Sequence, residues 1–493
     1  PITIDRAIED NYGIFPPLGL AYIAALLERS GHKVEILDCL AEGFYVRKAH
    51  ENNIRIGLSD EDILSRVQAF MPDVVGISNN FTSYYKDAVE LAMIIKARFP
   101  DILLVAGGAH MTMEYQDSIK LPFIDIVVRG EGEYIIADIL DCISHNKPFD
   151  NIKGLVWKKK DGNVIVNETR EAISNIDDLL WPSYHLLNMK LYLSQKSFNF
   201  EYSKNYPIGH MITSRGCMYN CIFCSTSKHF KKFRARSIEN ILDEMEFLIK
   251  KYSIREIHFH DDSFLCDSGR IYTLCNGILE RKMKISWQAS QGTTVWNITP
   301  ELLSLMQKSG MYRIGLPIES GSKKILKFIR KPINLERALA VIDECNRLGI
   351  YTHGNFIIGF PYETKEDIDN TASFIYKCNL DFVKLLICQP LAGSDLYNVY
   401  LKEGLLKESL QSASAYENTK YDTATFTASE LNRIRDEIMK KFFTIKMKNI
   451  LSIKGFNRFV LPKLNSFDKL KYFLRLAFIS LKRFILRKPV LGV

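Results

Sequence analysis

The chain has 493 residues, of which 47% are apolar and 25% charged, and its formal net charge is +8 at pH 7. This length predicts two or three domains, and the composition excludes a disordered chain. No apolar run reaches the 18 residues that a membrane-spanning helix needs, and ten cysteines in so long a chain exclude a disulfide scaffold and indicate a reducing cytosol.

Residues 1–150 alternate between helical and strand patterns. A helical stripe opens at Pro16-Pro17-Leu18-Gly19 and ends at Gly31. Apolar strands are predicted at 34–38, 74–78, 103–108 and 126–128, and further helices near 61–70 and 84–98. This spacing predicts a parallel sheet with helices on both faces, that is, a doubly wound, Rossmann-like domain.

Small and polar residues follow several of these strands. They are Ser78, then Gly107-Gly108-Ala109-His110, then Gly130-Glu131-Gly132-Glu133. At the carboxyl edge of a parallel sheet, such residues let a ligand approach the backbone. The alternative is that the glycines only make turns, and the pattern by itself does not choose between the two.

Residues 151–205 are predicted to connect two domains. Two short apolar runs, 154–157 and 164–166, flank an Asp161-Gly162 pair that is typical of a hairpin turn. Trp181-Pro182 then interrupts the chain before the next regular segment.

The segment Gly216–Cys224 carries three cysteines within eight residues, Cys217, Cys221 and Cys224. Three thiolates on one tight loop can bind three irons of a [4Fe–4S] cluster and leave the fourth iron open to a small molecule. The alternatives are a zinc site that lacks its fourth ligand and a chance grouping of buried cysteines.

Residues 206–400 repeat a strand–helix pattern about six times, which predicts a partial α/β barrel with its site at the carboxyl ends of the strands. Three strands end in Asp261-Asp262-Ser263, Glu319-Ser320-Gly321 and Gly359-Phe360-Pro361. Carboxylates and hydroxyls there suit a charged ligand. The competing interpretations are two solvated carboxylates in a turn, and a helix N-cap at Ser320.

The cysteine spacing resembles a known signature. Cys-x3-Cys-x-aromatic-Cys, with Phe223 as the aromatic residue, is similar to the motif of the radical S-adenosylmethionine (SAM) enzymes. The stretches HFHDDSF, GLPIESGS, FIIGFP and QPLAGSDLY resemble the subgroup that has an N-terminal cobalamin-binding domain, as do PPLGLAYIAALLERSGHKVEILD, GGAH and RGEGE. The resemblance spans roughly residues 12–400.

The resemblance implies three groups of site residues. Cys217, Cys221 and Cys224 would hold the cluster. The SAM contacts would be Phe223, Asp261, Asp262, Ser263, Glu319, Ser320, Gly359 and Pro361. The cobalamin contacts would be Pro17, Gly19, Ser78, Thr82, Gly107, Gly108, His110, Gly130 and Glu131. The Asp-x-His-x-x-Gly motif that supplies a cobalt ligand elsewhere is absent, so the resemblance implies either cobalamin without a protein lower ligand, His110 only lining its pocket, or a domain that has lost the cofactor.

The activity implied by the resemblance is radical methylation of an unactivated carbon. Reductive cleavage of SAM would yield a 5′-deoxyadenosyl radical, methylcobalamin would donate the methyl group, and a flavodoxin, ferredoxin or reductase would supply electrons. The substrate would be a small or lipid-like molecule. The competitors are ring closure or C–C bond formation on the same scaffold, and a sensor that binds the cofactors without cleaving SAM.

The remaining residues, 401–493, are predicted to form a basic helical region. Residues 440–493 hold fourteen Lys or Arg against one acid, Asp468, which gives +13 and leaves −5 for the rest of the chain. Residues 467–485 place Phe and Leu at helical spacing among lysines, which is typical of a helix lying on an anionic membrane surface. The alternative is a helix docked on the barrel. Nucleic-acid binding is not expected, since interleaved stacking aromatics are missing. We therefore expect a cytoplasmic enzyme with peripheral membrane contact through 455–493.

Overall fold

The structure is a computed structural model that describes residues 1–5, 13–50, 53–194, 202–230, 232–289, 294–406, 419–464 and 467–485. Two α/β units follow one another and a helical segment ends the chain. Within the described residues, no helix combines the length and the apolarity that crossing a bilayer requires.

The described residues of the first unit form eight strands and seven α-helices. Its strands are β1 (Ile2–Asp5), β2 (Arg47–His50), β3 (Asn53–Ile56), β4 (Val74–Ser78), β5 (Leu103–Gly107), β6 (Ile126–Val128), β7 (Leu155–Lys158) and β8 (Val164–Val166). Its helices are α1 (Leu18–Arg29), α2 (Cys39–Glu42), α3 (Asp60–Phe70), α4 (Tyr85–Arg98), α5 (Ala109–Met113), α6 (Tyr115–Ser118) and α7 (Gly132–Ser144).

The main sheet of this unit has the order β4-β5-β6-β7-β8. β4, β5 and β6 are parallel, as the α/β alternation predicts, whereas the β7–β8 hairpin pairs antiparallel with β6 and so extends this sheet. β1, β3 and β2 form a separate antiparallel sheet.

The strand predicted at residues 34–38 is wrong. The segment enters neither sheet, and its last residue, Asp38, instead caps α2 by accepting hydrogen bonds from the amides of Leu40 and Ala41. An apolar run predicts burial, but a strand also needs a partner, and no described strand pairs with this segment.

The second unit is the predicted partial barrel. Its strands are β9 (Ile208–Met211), β10 (Ser214–Arg215), β11 (Arg234–Ala235), β12 (Glu256–Phe259), β13 (Ser286–Ala289), β14 (Met311–Glu319), β15 (Tyr351–Ile358) and β16 (Phe382–Ile387). Its helices are α8 (Met189–Tyr192), α9 (Thr226–Phe230), α10 (Ile238–Tyr252), α11 (Ser268–Glu280), α12 (Pro300–Lys308), α13 (Lys323–Phe328), α14 (Leu335–Leu348), α15 (Lys365–Lys377) and α16 (Asp395–Lys402).

Six parallel strands form the barrel sheet in the order β9-β12-β13-β14-β15-β16, which confirms the predicted six-stranded architecture. The helix ends follow their local sequence. Ser237 caps α10, Thr299 caps α12 ahead of Pro300, and Gly349 ends α14 with φ of 72°. The helices therefore begin and end where the capping signals place them.

The last part contains α17 (Ala428–Leu451), α18 (Ile453–Gly455) and α19 (Phe467–Ile485). The Tyr472 side chain of α19 packs edge-on against Tyr312 and Tyr351, which lie at the starts of β14 and β15, and its hydroxyl donates to the Tyr202 carbonyl at 2.6 Å. Buried Lys463 pairs with Asp381 at 2.6 Å. These contacts close the amino end of the barrel with α19.

Candidate active site

The cysteine loop follows β10 at the carboxyl end of the barrel. Gly216 opens the loop with φ of 81°, and a Cβ there would collide with the Lys232 carbonyl, so glycine is required. Cys221 is buried, with its pKa raised to about 11 by desolvation, while Cys217 and Cys224 are half-buried. Among the described residues, no three His, Cys, Asp or Glu side chains converge as they would around one metal ion.

The two adjacent carboxylates after β12 have different surroundings. Asp261 is buried and accepts hydrogen bonds from the amide and hydroxyl of Thr213, at 2.8 and 2.5 Å, and from Ser214 at 2.5 Å. Asp262 opens into the barrel mouth, but protein surrounds most of it. That desolvation, with the charge of Asp261, raises its pKa to about 6. The exposed Asp262 carboxylate accepts from the Thr226 hydroxyl at 3.4 Å and can also face a ligand, whereas Asp261 holds the strand that leads to the cysteine loop. Ser263 is buried 3.6 Å from the Cys217 sulfur.

The end of β14 carries a strained residue. Glu319 has φ of 67°, a left-handed conformation that costs a non-glycine residue of order 1–3 kcal/mol and is concentrated at functional sites. Its carboxylate lies 3.2 Å from Lys331. Ser320 is buried against Thr371, and the cap of α13 is Ser322 rather than Ser320, because Ser322 accepts from the Ile325 amide.

The loop after β15 lies next to the cysteine loop. The Phe360 ring is 6.2 Å from the ring of Phe223, a residue that lies between Cys221 and Cys224 in the sequence. Gly359 has φ of 82°, and Pro361 is buried. The structure thus brings the Gly-Phe-Pro motif, which the sequence places 135 residues beyond the cysteine loop, into contact with that loop.

Small residues follow β4, β5 and β6 at the carboxyl edge of the sheet, a surface that we call the crevice. Gly130 has φ of 94° with open space where a Cβ would be, and Ser78 is exposed. Gly108 has φ of 106°, and a Cβ there would collide with the Asn79 carbonyl. His110 is 5% exposed, its Nδ1 lies 3.1 Å from the Thr82 hydroxyl, and burial lowers its pKa to about 4. Its Nε2 has no hydrogen-bond partner.

Glu131 joins the two units instead of facing this crevice. One carboxylate oxygen accepts from Arg215 at 3.0 Å, and the other accepts from Arg234 at 2.8 Å and from the Ile173 amide at 2.7 Å. Arg215 also donates to Glu133 at 2.5 Å. The side chains of Arg215, Glu131 and Glu133 are all less than a tenth exposed. We call these four charged residues the domain clamp.

Further contacts place the first unit over the barrel mouth. Phe15 stacks on His260 at the end of β12, with ring centroids 5.9 Å apart. A Cβ at Gly393, just beyond β16, would collide with Met113 of α5. Pro17 is the N-cap residue of α1, two residues after Phe15, and Gly19 lies in the first turn of this helix with open space around it.

Sequence comparisons match both units. The chain fits the profile of the B12 binding domain over residues 8–140 and that of the Radical SAM superfamily over residues 211–375. It is 32% identical to the cytidylyl-2-hydroxyethylphosphonate methyltransferase of Streptomyces wedmorensis over 80% of each chain. It is 34% identical to an uncharacterized methyltransferase of Pyrococcus horikoshii over 79% of this chain and 80% of that one. The chain belongs to the cobalamin-binding radical SAM family.

A solved structure shares the fold. The cobalamin-dependent S-adenosylmethionine radical enzyme OxsB, with aqua-cobalamin and SAM bound, superimposes with a TM-score of 0.69 at 18% identity, over 97% of this chain and 70% of that one. This radical SAM protein is accordingly an enzyme whose cofactors are a [4Fe–4S] cluster, SAM and cobalamin.

The residues at the barrel mouth fit the cluster and SAM. The three cysteines belong to one short loop, and thiolates are the usual ligands of such clusters. Half-buried Lys331 lies close enough to Cys221 and Cys217 to affect their electrostatics and offers positive charge beside an anionic centre. The exposed Asp262, whose hydrogen bond from Thr226 is long at 3.4 Å, suits an ammonium group, whereas Asp261 and Ser320 are buried and hydrogen-bonded inside the protein.

The crevice also fits cobalamin. A corrin ring is large and flat, and the open surface above Gly130 and beside Ser78 lets such a ring approach the backbone. His110 is buried and hydrogen-bonded to Thr82, and its role as pocket lining stays a prediction. Glu131 does not fit its predicted role, because both of its oxygens are used by the domain clamp.

Sequence reasoning missed several residues of this site. Arg215 directly precedes Gly216 of the cysteine loop, and its position beside the motif was the one available signal. Lys331 and Phe15 come from distant parts of the chain, and their proximity to the site follows only from the fold.

Glu363, beneath the Gly-Phe-Pro loop, is expected to make stability depend on pH. It is fully buried, one oxygen accepts from the amides of Gly359 and Phe360, the other has no partner, and burial raises its pKa to about 8. The folded protein then binds a proton more tightly than the unfolded chain does. The associated stability is present below the ordinary glutamate pKa and is lost as the pH rises through 8.

Glu363→Gln should remove this dependence. Wild type loses the stabilisation from protonated Glu363 as the pH rises from 5 to 8, and the variant does not. The free energy of unfolding of Glu363→Gln minus that of wild type should therefore increase over this range, by at most about 1.4 kcal/mol per pH unit. Urea unfolding at several pH values measures the difference, with Glu366→Gln, an exposed residue of α15, as the control. Parallel pH profiles for wild type and Glu363→Gln would contradict the expectation.

Proposed function

We propose that this enzyme is a C-methyltransferase that methylates an unactivated carbon of a small molecule. The observation that carries the proposal is the direct contact between the cobalamin-binding unit and the barrel mouth. The domain clamp and the Phe15–His260 stack hold the crevice of the first unit over the cysteine loop of the second. Cobalamin in the crevice and SAM at the mouth would therefore share one reaction space.

The chain's own residues position the reactants in this proposal. Cys217, Cys221 and Cys224 hold the cluster, and Asp262 and Glu319 face the charged groups of SAM. Phe223 and the Gly359–Pro361 loop provide an apolar wall for the adenine. When bound, the cluster supplies the electron that cleaves SAM and cobalamin carries the methyl group, while the apposed units exclude water.

A similar relative supports methylation over the other reactions of the family. The methyltransferase of Streptomyces wedmorensis is named for a phosphonate substrate joined to a cytidylyl group and is similar along most of this chain. Ring closure or C–C bond formation is the competing function. A flavodoxin, ferredoxin or dedicated reductase is the electron donor that either chemistry requires.

The products of SAM discriminate between the candidates. The protein, purified anaerobically from cobalamin-fed cells, is incubated with SAM, a reductant and a cell metabolite extract, and the products are measured by mass spectrometry. A methyltransferase should form S-adenosylhomocysteine together with 5′-deoxyadenosine, and methyl-labelled SAM should label a metabolite. Formation of 5′-deoxyadenosine alone would favour the competing function, and neither product would refute both.

We also propose that α19 contacts an anionic membrane surface. Two of its side chains, Tyr472 and Leu476, are buried on the barrel, as the docking alternative requires. A second stripe on the same helix remains exposed. Its members and their exposed fractions are Phe467 at 80%, Leu470 at 37%, Leu474 at 58% and Phe478 at 66%. The strongly basic composition of residues 440–493 complements anionic lipid.

Replacing Phe467, Leu474 and Phe478 with serine should abolish binding to vesicles. Each of these apolar side chains contributes about 1.5–3 kcal/mol to the free energy of binding when it is buried in the membrane interface, so the triple variant loses several kcal/mol. Sedimentation with vesicles containing phosphatidylglycerol measures the binding. Val164→Ser and Val166→Ser, exposed on β8, provide a matched control that should bind like wild type. Equal sedimentation of the triple variant and wild type would refute the contact.

A further inference from the structure

Two parts of the barrel wall differ in how their inward-facing polar side chains are hydrogen-bonded. The Phe356 ring of β15 packs toward Phe374 of α15, so Phe356 and every second residue of this strand counted from it face the helices. His353 and Asn355 therefore face the interior, because side chains alternate along a strand. In the register of the sheet, Gly315 lies opposite His353, and Lys384 lies opposite Asn355.

Most polar side chains on the wall formed by β9, β12 and β13 are hydrogen-bonded to one another, although within the described residues Gln288 Oε1 has no partner. His258 lies 2.7 Å from Glu256 and 2.6 Å from Gln288, and Glu256 also accepts from the Tyr312 hydroxyl at 2.6 Å. His210 lies 2.7 Å from His260. This wall offers few free donors to a ligand.

The opposite wall contains a buried histidine whose ring is not hydrogen-bonded within the described structure. His353 is 3% exposed, and neither of its ring nitrogens has a hydrogen bond to a described residue. A buried polar group left in this state is costly and calls for an explanation, such as a ligand that is bound during function. Burial lowers its pKa, and the positive charges of Arg313 and Lys384 lower it further, so the ring is neutral and can donate one N–H.

Two cations lie beside this histidine. The Arg313 guanidinium is buried and is centred 5.2 Å from the ring of Phe382, whose register partner is His353. Lys384 and its register partner Asn355 are half-buried on the next level toward the mouth. Within the described part of the chain, the shift at His353 comes from burial and from these two cations, in contrast to the Glu256 wall.

We propose that Arg313, His353, Asn355 and Lys384 bind an oxyanion of the substrate, that is, a phosphoryl, phosphonyl or carboxylate group. We call these residues the cationic wall. The proposal rests on the proposed function in one respect, namely that the molecule bound is the substrate of the same mouth. Arginine and lysine supply charge, and the neutral histidine and the asparagine amide supply directed donors.

The position of the cationic wall constrains the substrate. Asn355 precedes Gly359 by four residues, which corresponds to about 13 Å at the rise of a strand. The amino end of the barrel is closed by Tyr312, Tyr351 and Tyr472, so the substrate enters from the mouth. The substrate is therefore elongated, with its anionic end deep in the barrel and its reacting carbon roughly 10 Å or more above it.

Site-resolved lysine labelling tests this. The anaerobically purified holoenzyme is acylated in inorganic phosphate, in acetate, or in chloride at equal ionic strength, and the labelling of each lysine is read by mass spectrometry. Lys377, an exposed lysine at the end of α15, is the internal control. We expect phosphate or acetate to slow the acylation of Lys384 several-fold and to leave Lys377 unchanged.

His353→Leu separates binding from folding. Because the wild-type ring has no hydrogen bond to lose, this variant should keep the wild-type melting temperature or exceed it. It should also need about tenfold more anion for the same protection of Lys384, since one donor to a charged group is removed.

Each outcome of the labelling experiment supports or overturns anion binding at the cationic wall. Protection by phosphate assigns a phosphoryl or phosphonyl group, and stronger protection by acetate assigns a carboxylate; both support the proposal. Unchanged labelling of Lys384, equal protection of Lys377, or wild-type protection in a folded His353→Leu variant would overturn it. The readout needs neither SAM cleavage nor methyl transfer, so its result is independent of the methyltransferase assay.

Discussion

Replacing Cys217, Cys221 or Cys224 with serine is expected to abolish SAM cleavage, a loss of at least about 1,000-fold in 5′-deoxyadenosine formation. The physical reason is that each thiolate binds a different iron, so two cysteines cannot hold the cluster in the geometry that leaves one iron open. The measurement is iron and sulfide per chain, with 5′-deoxyadenosine quantified under strong reductant. Iron content and product formation should fall together in all three variants.

The control is a cysteine outside the loop. Cys142 is half-buried on α7 of the first unit, and Cys142→Ser should keep wild-type iron content and activity. If one of the three loop variants retained full iron and full SAM cleavage, the assignment of that cysteine to the cluster would be wrong.

Arg215→Met is expected to destabilise the protein by about 3–5 kcal/mol, since removing one partner of a buried ionic network leaves its other charges uncompensated. Arg215 is paired with both Glu131 and Glu133 inside the domain clamp. The free energy of unfolding is measured by urea titration. We also expect methyl transfer to fall more than SAM cleavage, because the clamp holds the two units together while the cysteine loop belongs to one of them.

A matched variant separates the domain clamp from surface ion pairs. Arg66 pairs with Glu35 and Glu42, and its side chain is 45% exposed. Arg66→Met should therefore cost only about 0–1 kcal/mol. Equal losses for the two arginine variants would mean that the clamp has no special role, and a parallel loss of SAM cleavage and methyl transfer in Arg215→Met would indicate general destabilisation.

The sequence predicted the elements of the barrel and the strand ends that the fold brings together, because both depend on local signals. Capping residues and apolar periodicity are read within one turn or strand, and strand ends in parallel α/β units meet at one edge. The cysteine loop, Asp262 and the Gly359 loop therefore appear together as expected.

The sequence could not assign partners to individual side chains. Asp261 and Asp262 are chemically identical neighbours, yet one is consumed by Thr213 and Ser214 while the other faces the mouth. Glu131 stands in a motif expected to touch cobalamin, but two arginines more than eighty residues away occupy it. Such choices depend on long-range packing, which single-sequence patterns do not encode.

The position of α19 determines how the protein would be oriented on a bilayer. This helix covers the amino end of the barrel, whereas the cysteine loop and the cobalamin crevice lie at the carboxyl end. A protein resting on lipid through α19 would point its entrance toward the aqueous phase. Membrane contact would then determine the location of the enzyme and would not deliver a substrate from the lipid. It would be compatible with a water-soluble substrate. The lipid-like substrate expected from the sequence therefore does not follow from a membrane-bound tail.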